Sequence, residues 1–284
     1  MTGDWTRYDD VAEEYAGVAA RFHGQLARDL VDAVAPPFGS RVLDLGAGSG
    51  VAAAAAAEAT GTDGRVVALD PSLPLLRHAR SPEVAAVAGA APDLPFGPHT
   101  FDVAVASLVL GHLADPDAAL ADLVRVLRPG GRLGLTTWGR PDDTDDDLDD
   151  ADERAAYAVW AEVVGREVDL AAIDEAVAAA LPGEERFTEP AHLRSALAGA
   201  DLRVVDCFGR VYRASCSHAE WLHRVDTGAR TRAVRAGVGP ERHRELRAAV
   251  AAALVAGGVP DPFLVHDEVL LTVAMTRPGR GGAP

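Results

Sequence analysis

A glycine-rich loop between a short apolar segment and an alanine-rich segment is the feature that most constrains the fold. Residues 42–50 read Val-Leu-Asp-Leu-Gly-Ala-Gly-Ser-Gly, and the alanine-rich segment follows them over 51–60. Glycines let a backbone turn sharply and approach a ligand without a Cβ atom in the way. Asp70 ends the next apolar segment. In open parallel sheets, a carboxylate at this point accepts hydrogen bonds from ribose hydroxyls.

Apolar and helical segments alternate through the first half of the chain. The predicted strands are residues 41–45, 65–69, 84–88, 101–106 and 132–137, and the predicted helices are 51–60, 73–79 and 117–127. This alternation is typical of a parallel sheet covered by helices on both faces. Farther along, we predict helices over 154–181, within 186–200, from Ser217 and over 240–256, with strands at 202–205, continuing over 210–214, and at 268–275.

Composition and charge argue against several classes of function. The chain has 27 basic and 43 acidic residues, a formal net charge of −16, and its basic residues are all arginine. Nucleic acids and anionic membranes bind basic surfaces, so we expect neither as a partner. A phosphate-binding P-loop needs a lysine, and dinucleotide dehydrogenases usually show GxGxxG, whereas this loop reads GxGxG.

Two further features bear on metals and on the compartment. Cys207 and Cys216 form no CxxC pair, so we expect no metal site. The N-terminus is polar and acidic, and no apolar run approaches the roughly 20 residues of a membrane span. We therefore expect a cytoplasmic protein that acts as a monomer or a homodimer. The acidic residues of 142–153 are expected to form a solvated segment.

Further motifs follow the glycine loop. Residues 89–96 read Gly-Ala-Ala-Pro-Asp-Leu-Pro-Phe, residues 99–103 read His-Thr-Phe-Asp-Val, residues 107–113 read Ser-Leu-Val-Leu-Gly-His-Leu, and residues 125–131 read Arg-Val-Leu-Arg-Pro-Gly-Gly. With these motifs, the chain resembles a class I S-adenosylmethionine-dependent methyltransferase, of the group that holds many small-molecule methyltransferases. The resemblance is close over residues 41–138 and covers both ends in outline.

The resemblance implies S-adenosyl-L-methionine as the cofactor. It implies a cofactor site formed by Asp44, Gly46, Ala47, Gly48, Gly50, Asp70, Pro71, Ala91, Leu94 and Ser107. In such a site, Gly46 and Gly48 line the methionine moiety, Asp44 orients their loop, Asp70 holds the ribose hydroxyls and Pro71 packs on the adenine. The chain departs from the family at Ala90. At this position the family often has an aspartate, which accepts a hydrogen bond from the adenine amino group. Asp93 is the candidate substitute.

The acceptor site is expected beside the cofactor, and His112 is the candidate general base, with a wall role as the alternative. His112 follows strand four at the ligand edge of the sheet, and a histidine with an unperturbed pKa near 6.5 can take a proton from a hydroxyl. The other candidate acceptor-pocket residues are Tyr8, Tyr15, His23, Trp138, His218 and Trp221. Tyr8, Tyr15 and Phe22 are spaced seven apart, which predicts one helical face for the three rings.

The predicted fold class is α/β, with a Rossmann-like, doubly wound sheet that is mostly parallel and has a C-terminal antiparallel strand. We expect residues 1–40 to form an N-terminal helical lid and residues 41–140 to form the S-adenosylmethionine-binding core. Residues 141–190 are expected to form an acidic and helical insertion after strand five that caps the acceptor. Residues 191–284 are expected to complete the core.

The predicted function is S-adenosylmethionine-dependent methylation of O, N or C on a small-molecule acceptor, in bacterial biosynthesis of a natural product. Because a fold does not determine the reaction, two alternatives stay open at this point. One is a non-methylating reaction on the same fold, such as cyclisation. The other is an inactive cofactor-binding partner subunit.

Overall fold

Seven strands form one sheet in the computed structural model, which describes residues 8–139 and 150–278. The strands are β1 (Arg41–Leu45), β2 (Arg65–Asp70), β3 (Val84–Ala88), β4 (Phe101–Ser107), β5 (Leu127–Trp138), β6 (Leu202–Cys216) and β7 (Phe263–Thr276). Their order is β3-β2-β1-β4-β5-β7-β6. Strands β1 to β5 are parallel, and β7 is antiparallel to both β5 and β6. The predicted Rossmann-like, mostly parallel sheet is confirmed.

Helices pack on both faces of this sheet. They are α1 (Ala12–Val18), α2 (Gly24–Val34), α3 (Val51–Thr60), α4 (Leu73–Ala79), α5 (Pro116–Val126), α6 (Ala151–Val164), α7 (Leu170–Ala180), α8 (Gly183–Arg186), α9 (Pro190–Gly199), α10 (His218–Thr227), α11 (Ala229–Val238) and α12 (Pro240–Ala256). Successive residues of a strand face opposite sides. Leu43 and Leu45 of β1 accordingly pack in one layer with residues of α5 and α9, and Val42 packs in the other with α2 and α3.

The second half of the chain differs from the prediction in three places. The helix expected over 154–181 is two helices, because the chain turns after Gly165 and the Asp169 side chain caps α7 by accepting from the Ala171 and Ala172 backbone N–H groups. Residues 202–216 form one strand, which confirms the predicted continuation over 210–214 and also includes residues 206–209 between the two predicted segments. Helix α11 was not predicted from the sequence. Residues 142–149 of the acidic run lie outside the described residues.

A third apolar cluster lies among the C-terminal helices. It joins residues of α6, α10 and α12 to the start of β7, and Trp160, Trp221 and Phe263 are its largest rings. This cluster fixes α10 and α11 over the carboxyl edge of the sheet, where they meet the N-terminal helices. Within 8–139 and 150–278, no helix is both long and apolar enough to cross a membrane.

Candidate active site

A cavity of about 210 Å3 opens where β1, β2 and β4 end. Its wall includes six residues that the sequence predicts for the cofactor: Gly46, Gly48, Asp70, Pro71, Ala91 and Ser107. Parallel strands bring their carboxyl ends to one edge of the sheet, and ligands bind there in open α/β folds. The structure therefore brings these six residues together at the expected place. We call this space the cofactor cavity.

The glycine loop forms the floor of the cofactor cavity in a conformation that suits glycine. Gly46 and Gly48 have φ angles of +66° and +54°, in the left-handed region that side chains rarely adopt. A Cβ atom on Gly48 would lie 3.3 Å from Cε1 of Tyr15, in the space between the loop and the lid. A Cβ atom on Gly50 would instead lie 2.6 Å from the Cα atom of Ala79. Gly50 thus permits α4 to pack closely and does not line the cavity.

Asp70 connects the glycine loop to the turn that follows β2. Its Oδ2 accepts the Gly48 backbone N–H at 2.9 Å, and its Oδ1 accepts the Ser72 backbone N–H at 2.8 Å. A carboxylate oxygen can accept a second hydrogen bond, so each oxygen can also receive a ribose hydroxyl. These acceptor oxygens fit the ribose hydroxyls of S-adenosylmethionine, and Asp70 has an additional role in holding the glycine loop.

We expect Asp70→Asn to weaken S-adenosylmethionine binding about ten- to a hundredfold, or about 1.5–3 kcal/mol, because the charged acceptor is lost. Calorimetric titration measures this change. The matched control is Asp102→Asn, since the Asp102 carboxylate also accepts a backbone N–H, from Arg41 at 2.7 Å, at the opposite edge of the sheet. Equal affinity in Asp70→Asn and Asp102→Asn would contradict the assignment of Asp70.

Three other predicted cofactor residues do not line the cavity. Asp44 is buried below the loop, where it accepts the Ala53 backbone N–H, and burial raises the pKa of its carboxyl to about 8. Its Oδ2 has no hydrogen-bond partner among the described residues. Ala47 packs against the apolar layer below the loop, and Leu94 packs in the core with its N–H 2.6 Å from Oδ2 of Asp122. Asp44 is therefore placed to orient the loop, whereas Leu94 faces the core rather than the adenine side.

The departure at Ala90 is not compensated nearby. Ala90 lines the cofactor cavity, whereas Asp93 is exposed and is not among the lining residues. The structure therefore does not support Asp93 as the substitute acceptor for the adenine amino group.

A second, larger cavity of about 440 Å3 adjoins the first. Five candidate acceptor-site residues line it: Tyr8, Tyr15, His23, His112 and Trp138. Tyr8, Tyr15, Leu108 and His112 line both cavities and so form the wall between them. We call the larger space the acceptor cavity and these four residues the shared wall.

The N-terminal segment supplies three of the rings in this region, Tyr8, Tyr15 and His23. The ring centroids of Tyr8 and Tyr15 are 4.7 Å apart, those of Tyr15 and His23 are 6.4 Å apart, and those of His23 and Trp138 are 6.3 Å apart. Residues Ala19–His23 form a π-helical turn, which changes the angular position of the residues after it. As a result His23 lines the cavity, whereas Phe22 packs in the third apolar cluster. The single helical face predicted for Tyr8, Tyr15 and Phe22 is wrong, because Tyr8 precedes the first helical turn and Phe22 packs in the third apolar cluster.

His112 lies in the shared wall with a neutral ring. Its Nε2 is 3.5 Å from the Tyr8 hydroxyl, and its Nδ1 is 3.5 Å from Oε1 of Glu184. Burial, aided by the charge of Arg232, lowers the pKa of His112 to about 4. The contact with Glu184 is therefore not an ion pair at neutral pH. The Tyr8 hydroxyl lies within hydrogen-bond distance of Nε2, whereas Nδ1 has no hydrogen-bond partner among the described residues.

Two glycines allow Glu184 to reach His112. A Cβ atom on Gly183 would lie 2.8 Å from the Leu110 carbonyl oxygen, and one on Gly111 would lie 3.1 Å from Cγ of Glu184. The short helix α8 can therefore lie directly against the turn that carries His112. Burial raises the pKa of Glu184, which lines the acceptor cavity beside His112.

His218 and Trp221 are not part of the acceptor cavity, which corrects the expectation for both. The His218 Nε2 is 3.2 and 2.9 Å from the carbonyl oxygens of Val259 and Pro260, so this ring holds the loop before β7. Trp221 is 0% exposed, and its ring packs against Tyr157 and Phe263 at centroid distances of 5.2 and 6.1 Å. Both side chains face the third apolar cluster because α10 presents that side to α6 and β7.

Several residues of the acceptor cavity were not predicted from the sequence. They are Tyr157, Trp160, Asp174, Glu184, Arg224 and Arg230. Arg224 pairs with Asp267, and Arg230 pairs with Asp174 at 2.7 Å. Tyr157, Trp160, Asp174 and Glu184 belong to the insertion that was expected to cap the acceptor. The sequence did not single them out, because packing between distant segments decides which face of each helix lines the cavity.

Comparison with known proteins agrees with this geometry. A family model described as a methyltransferase domain matches residues 43–135. Residues 43–135 are a class I methyltransferase domain. This methyltransferase domain contains the glycine loop, Asp70, Ala91 and His112. The matched residues thus include those of the glycine loop and of the turns that line the cofactor cavity.

Two curated relatives and one solved structure illustrate the range of similar proteins. A demethylmenaquinone methyltransferase from Paenarthrobacter aurescens is 39% identical over 142 residues, 48% of this chain and 55% of the relative. Nocamycin O-methyltransferase from Saccharothrix syringae is 35% identical over 138 residues, 45% of this chain and 49% of the relative. The chain thus spans about half the length of these relatives. The [4+2]-cyclase SpnF has the same fold, with a TM-score of 0.56, 20% identity and coverage of 96% of this chain and 94% of that one.

Proposed function

We propose that the protein transfers a methyl group from S-adenosylmethionine to a small-molecule acceptor. The observation that carries this proposal is the shared wall. The cofactor cavity lies on one side of its four side chains, and the acceptor cavity, which has room for a second molecule, lies on the other. When bound, S-adenosylmethionine supplies a methyl group that its sulfonium already activates. Alignment of two reactants in such a site can contribute about 7–11 kcal/mol to lowering the barrier.

The lining of the acceptor cavity indicates the kind of molecule that it takes. Rings of Tyr8, Tyr15, Trp138, Tyr157 and Trp160 surround the space. Cavities with aromatic walls and a few placed polar groups bind apolar ligands of moderate size, and aromatic rings favour planar partners. We therefore propose a planar, largely apolar acceptor. The two relatives whose names specify a small molecule support a small-molecule acceptor, and the name of nocamycin O-methyltransferase supports methylation of an acceptor oxygen. We also propose that this reaction belongs to bacterial natural-product biosynthesis.

Within this function, His112 is proposed to act as the base for a hydroxyl acceptor. We expect His112→Ala to lower kcat by about 10²–10⁴-fold with little change in cofactor affinity, because a general base acts on the acceptor proton. The imidazole accepts a proton only when neutral, and its pKa is about 4 in the folded protein. The contribution of His112 is therefore constant from pH 5 to 8 and falls only as the pH drops toward 4. Sequence reasoning alone placed this fall near pH 6.5.

Steady-state rates of the parent, His112→Ala and His112→Gln enzymes between pH 5 and 8 test this role. Glutamine retains hydrogen bonding but takes no proton, so both variants should be slow if His112 is a base. Near-parental kcat in His112→Gln would assign His112 to the wall instead. A break in the parent profile near pH 6.5 that disappears in His112→Ala would contradict the lowered pKa.

A screen with methyl-labelled S-adenosylmethionine and planar hydroxyl-bearing compounds tests the proposed function itself. The expected product has gained one methyl group in place of a hydrogen, with label, and the cofactor is converted to S-adenosylhomocysteine. A product that is an isomer of its substrate, with the cofactor unchanged, would support cyclisation and contradict methyl transfer. Fold similarity to SpnF does not distinguish these outcomes, because a shared fold does not fix the reaction.

A further inference from the structure

A buried arginine lies directly behind the shared wall. Arg232, in α11, is 4% exposed, and its Cζ lies 3.8 Å from the centroid of the Tyr8 ring. A guanidinium over an aromatic face within about 6 Å attracts the ring, and the attraction is stronger when both groups are shielded from water. Arg232 itself lines neither cavity, whereas Tyr8 lines both. Arg232 is therefore placed to act on the site through Tyr8.

The position of Tyr8 depends on contacts with side chains of other elements. Tyr8 precedes the short 3-10 turn Asp9–Val11, so its own backbone is not part of a helix. Its ring is 4.7 Å from that of Tyr15 and 5.8 Å from that of His112, measured between centroids. These two neighbours belong to the wall itself. Among the ring contacts described for Tyr8, the contact with Arg232 is the one made by a residue that lines neither cavity.

Helix α11 connects this contact to the acceptor side. Its first residues, Ala229, Arg230 and Thr231, line the acceptor cavity, and Arg232 follows them directly. The charge of Arg232 adds to the burial that lowers the pKa of His112 and partly offsets the burial that raises the pKa of Glu184, so the three groups lie within one electrostatic neighbourhood. One helix thus contributes both to the acceptor cavity and to the support of the lid.

We propose that Arg232 is a positioning residue for the cofactor, which fixes the Tyr8 ring in the shared wall and so closes the cofactor cavity beneath the N-terminal lid. This inference rests on the proposed function. A side chain that is already fixed in its bound position loses less conformational freedom when the ligand binds, and affinity rises accordingly. Without the guanidinium, Tyr8 must be ordered by the ligand itself, and both S-adenosylmethionine and S-adenosylhomocysteine should bind more weakly.

A double-mutant cycle measured by calorimetric titration tests the proposal. S-adenosylmethionine and S-adenosylhomocysteine are titrated into the parent protein, Arg232→Met, Tyr8→Leu and the double variant. We expect each single variant to bind both ligands about tenfold more weakly, the size expected for a shielded cation–π contact. The double variant should bind no more weakly than the single ones, because both substitutions remove the same contact. Arg232→Lys, which retains a cation, should recover most of the affinity.

Arg235→Met is the matched control, because Arg235 lies on the same helix and lines neither cavity. Arg235→Met should bind both ligands as tightly as the parent does. That result would show that loss of a positive charge alone does not weaken binding. Losses that add in the double variant, or unchanged affinity in Arg232→Met, would overturn the proposal. If Arg232→Met does not fold, the cycle between Arg232→Gln, which also lacks the cation, and Tyr8→Leu replaces it with the same criterion. If the parent protein binds neither S-adenosylmethionine nor S-adenosylhomocysteine, the proposed function is overturned. If the parent binds them and the losses of affinity in the two single variants add in the double variant, only the role of Arg232 is overturned.

Discussion

Replacement of Gly48 with valine is expected to abolish S-adenosylmethionine binding, with affinity reduced about a hundredfold or more, which corresponds to about 2.7 kcal/mol. Gly48 has a φ angle of +54°, and its Cβ position lies 3.3 Å from the Tyr15 ring on the cavity side of the loop. The two methyl groups of valine extend from that position into the space between the loop and the lid. Calorimetric titration with S-adenosylmethionine measures the loss.

Gly130→Val is the matched control for this substitution. Gly130 also has a left-handed φ angle, +75°, but nothing lies within 4 Å of its Cβ position, and it precedes the buried part of β5 away from the cavities. Both variants therefore carry the backbone strain of a β-branched residue at positive φ, and only Gly48→Val fills the cavity. Similar affinity in the two folded variants would show that the loop does not form the cofactor site.

Trp221→Ala is expected to lower the free energy of unfolding by about 3–5 kcal/mol, the usual cost of truncating a large buried ring. Trp221 is 0% exposed and joins α10 to Tyr157 and Phe263 in the third apolar cluster. Denaturant unfolding measures the change. Because Trp221 lines neither cavity, S-adenosylmethionine affinity should stay near that of the parent at temperatures where the variant is folded.

Val255→Ala controls for loss of an apolar side chain in the same helical region, since Val255 on α12 is 71% exposed. Its stability should be nearly unchanged. If Trp221→Ala kept parental stability and lost turnover instead, the sequence-based placement of Trp221 in the acceptor pocket would be right and the present placement wrong.

The cofactor cavity could be predicted from the sequence because its signals are local. Gly46, Gly48 and Asp70 follow strands that are short, apolar and near in sequence, and the parallel topology brings the ends of those strands to one edge. The same reasoning misplaced Leu94 and Gly50. A motif shows that a residue is near the site, but whether its side chain faces the ligand or the core depends on the local backbone direction.

The acceptor cavity could be predicted only in part, for reasons of long-range packing. Tyr8, Tyr15, His23 and Trp138 were expected, but His23 lines the cavity because of a π-helical turn that helical periodicity does not indicate. Arg224 comes from α10 and Arg230 from α11, a helix that the sequence did not predict. The pKa of His112 also depends on burial by these distant elements, which no local pattern reports.

A crystal structure of the protein with S-adenosylhomocysteine would show whether the two cavities have the roles proposed for them. We expect the ligand in the cofactor cavity, with its ribose hydroxyls on Asp70 and its sulfur directed at the shared wall of Tyr8, Tyr15, Leu108 and His112. The acceptor cavity would then open onto the position of the transferred methyl group. A ligand bound elsewhere, or one whose sulfur is directed away from the shared wall, would show that the roles of the cavities are wrong.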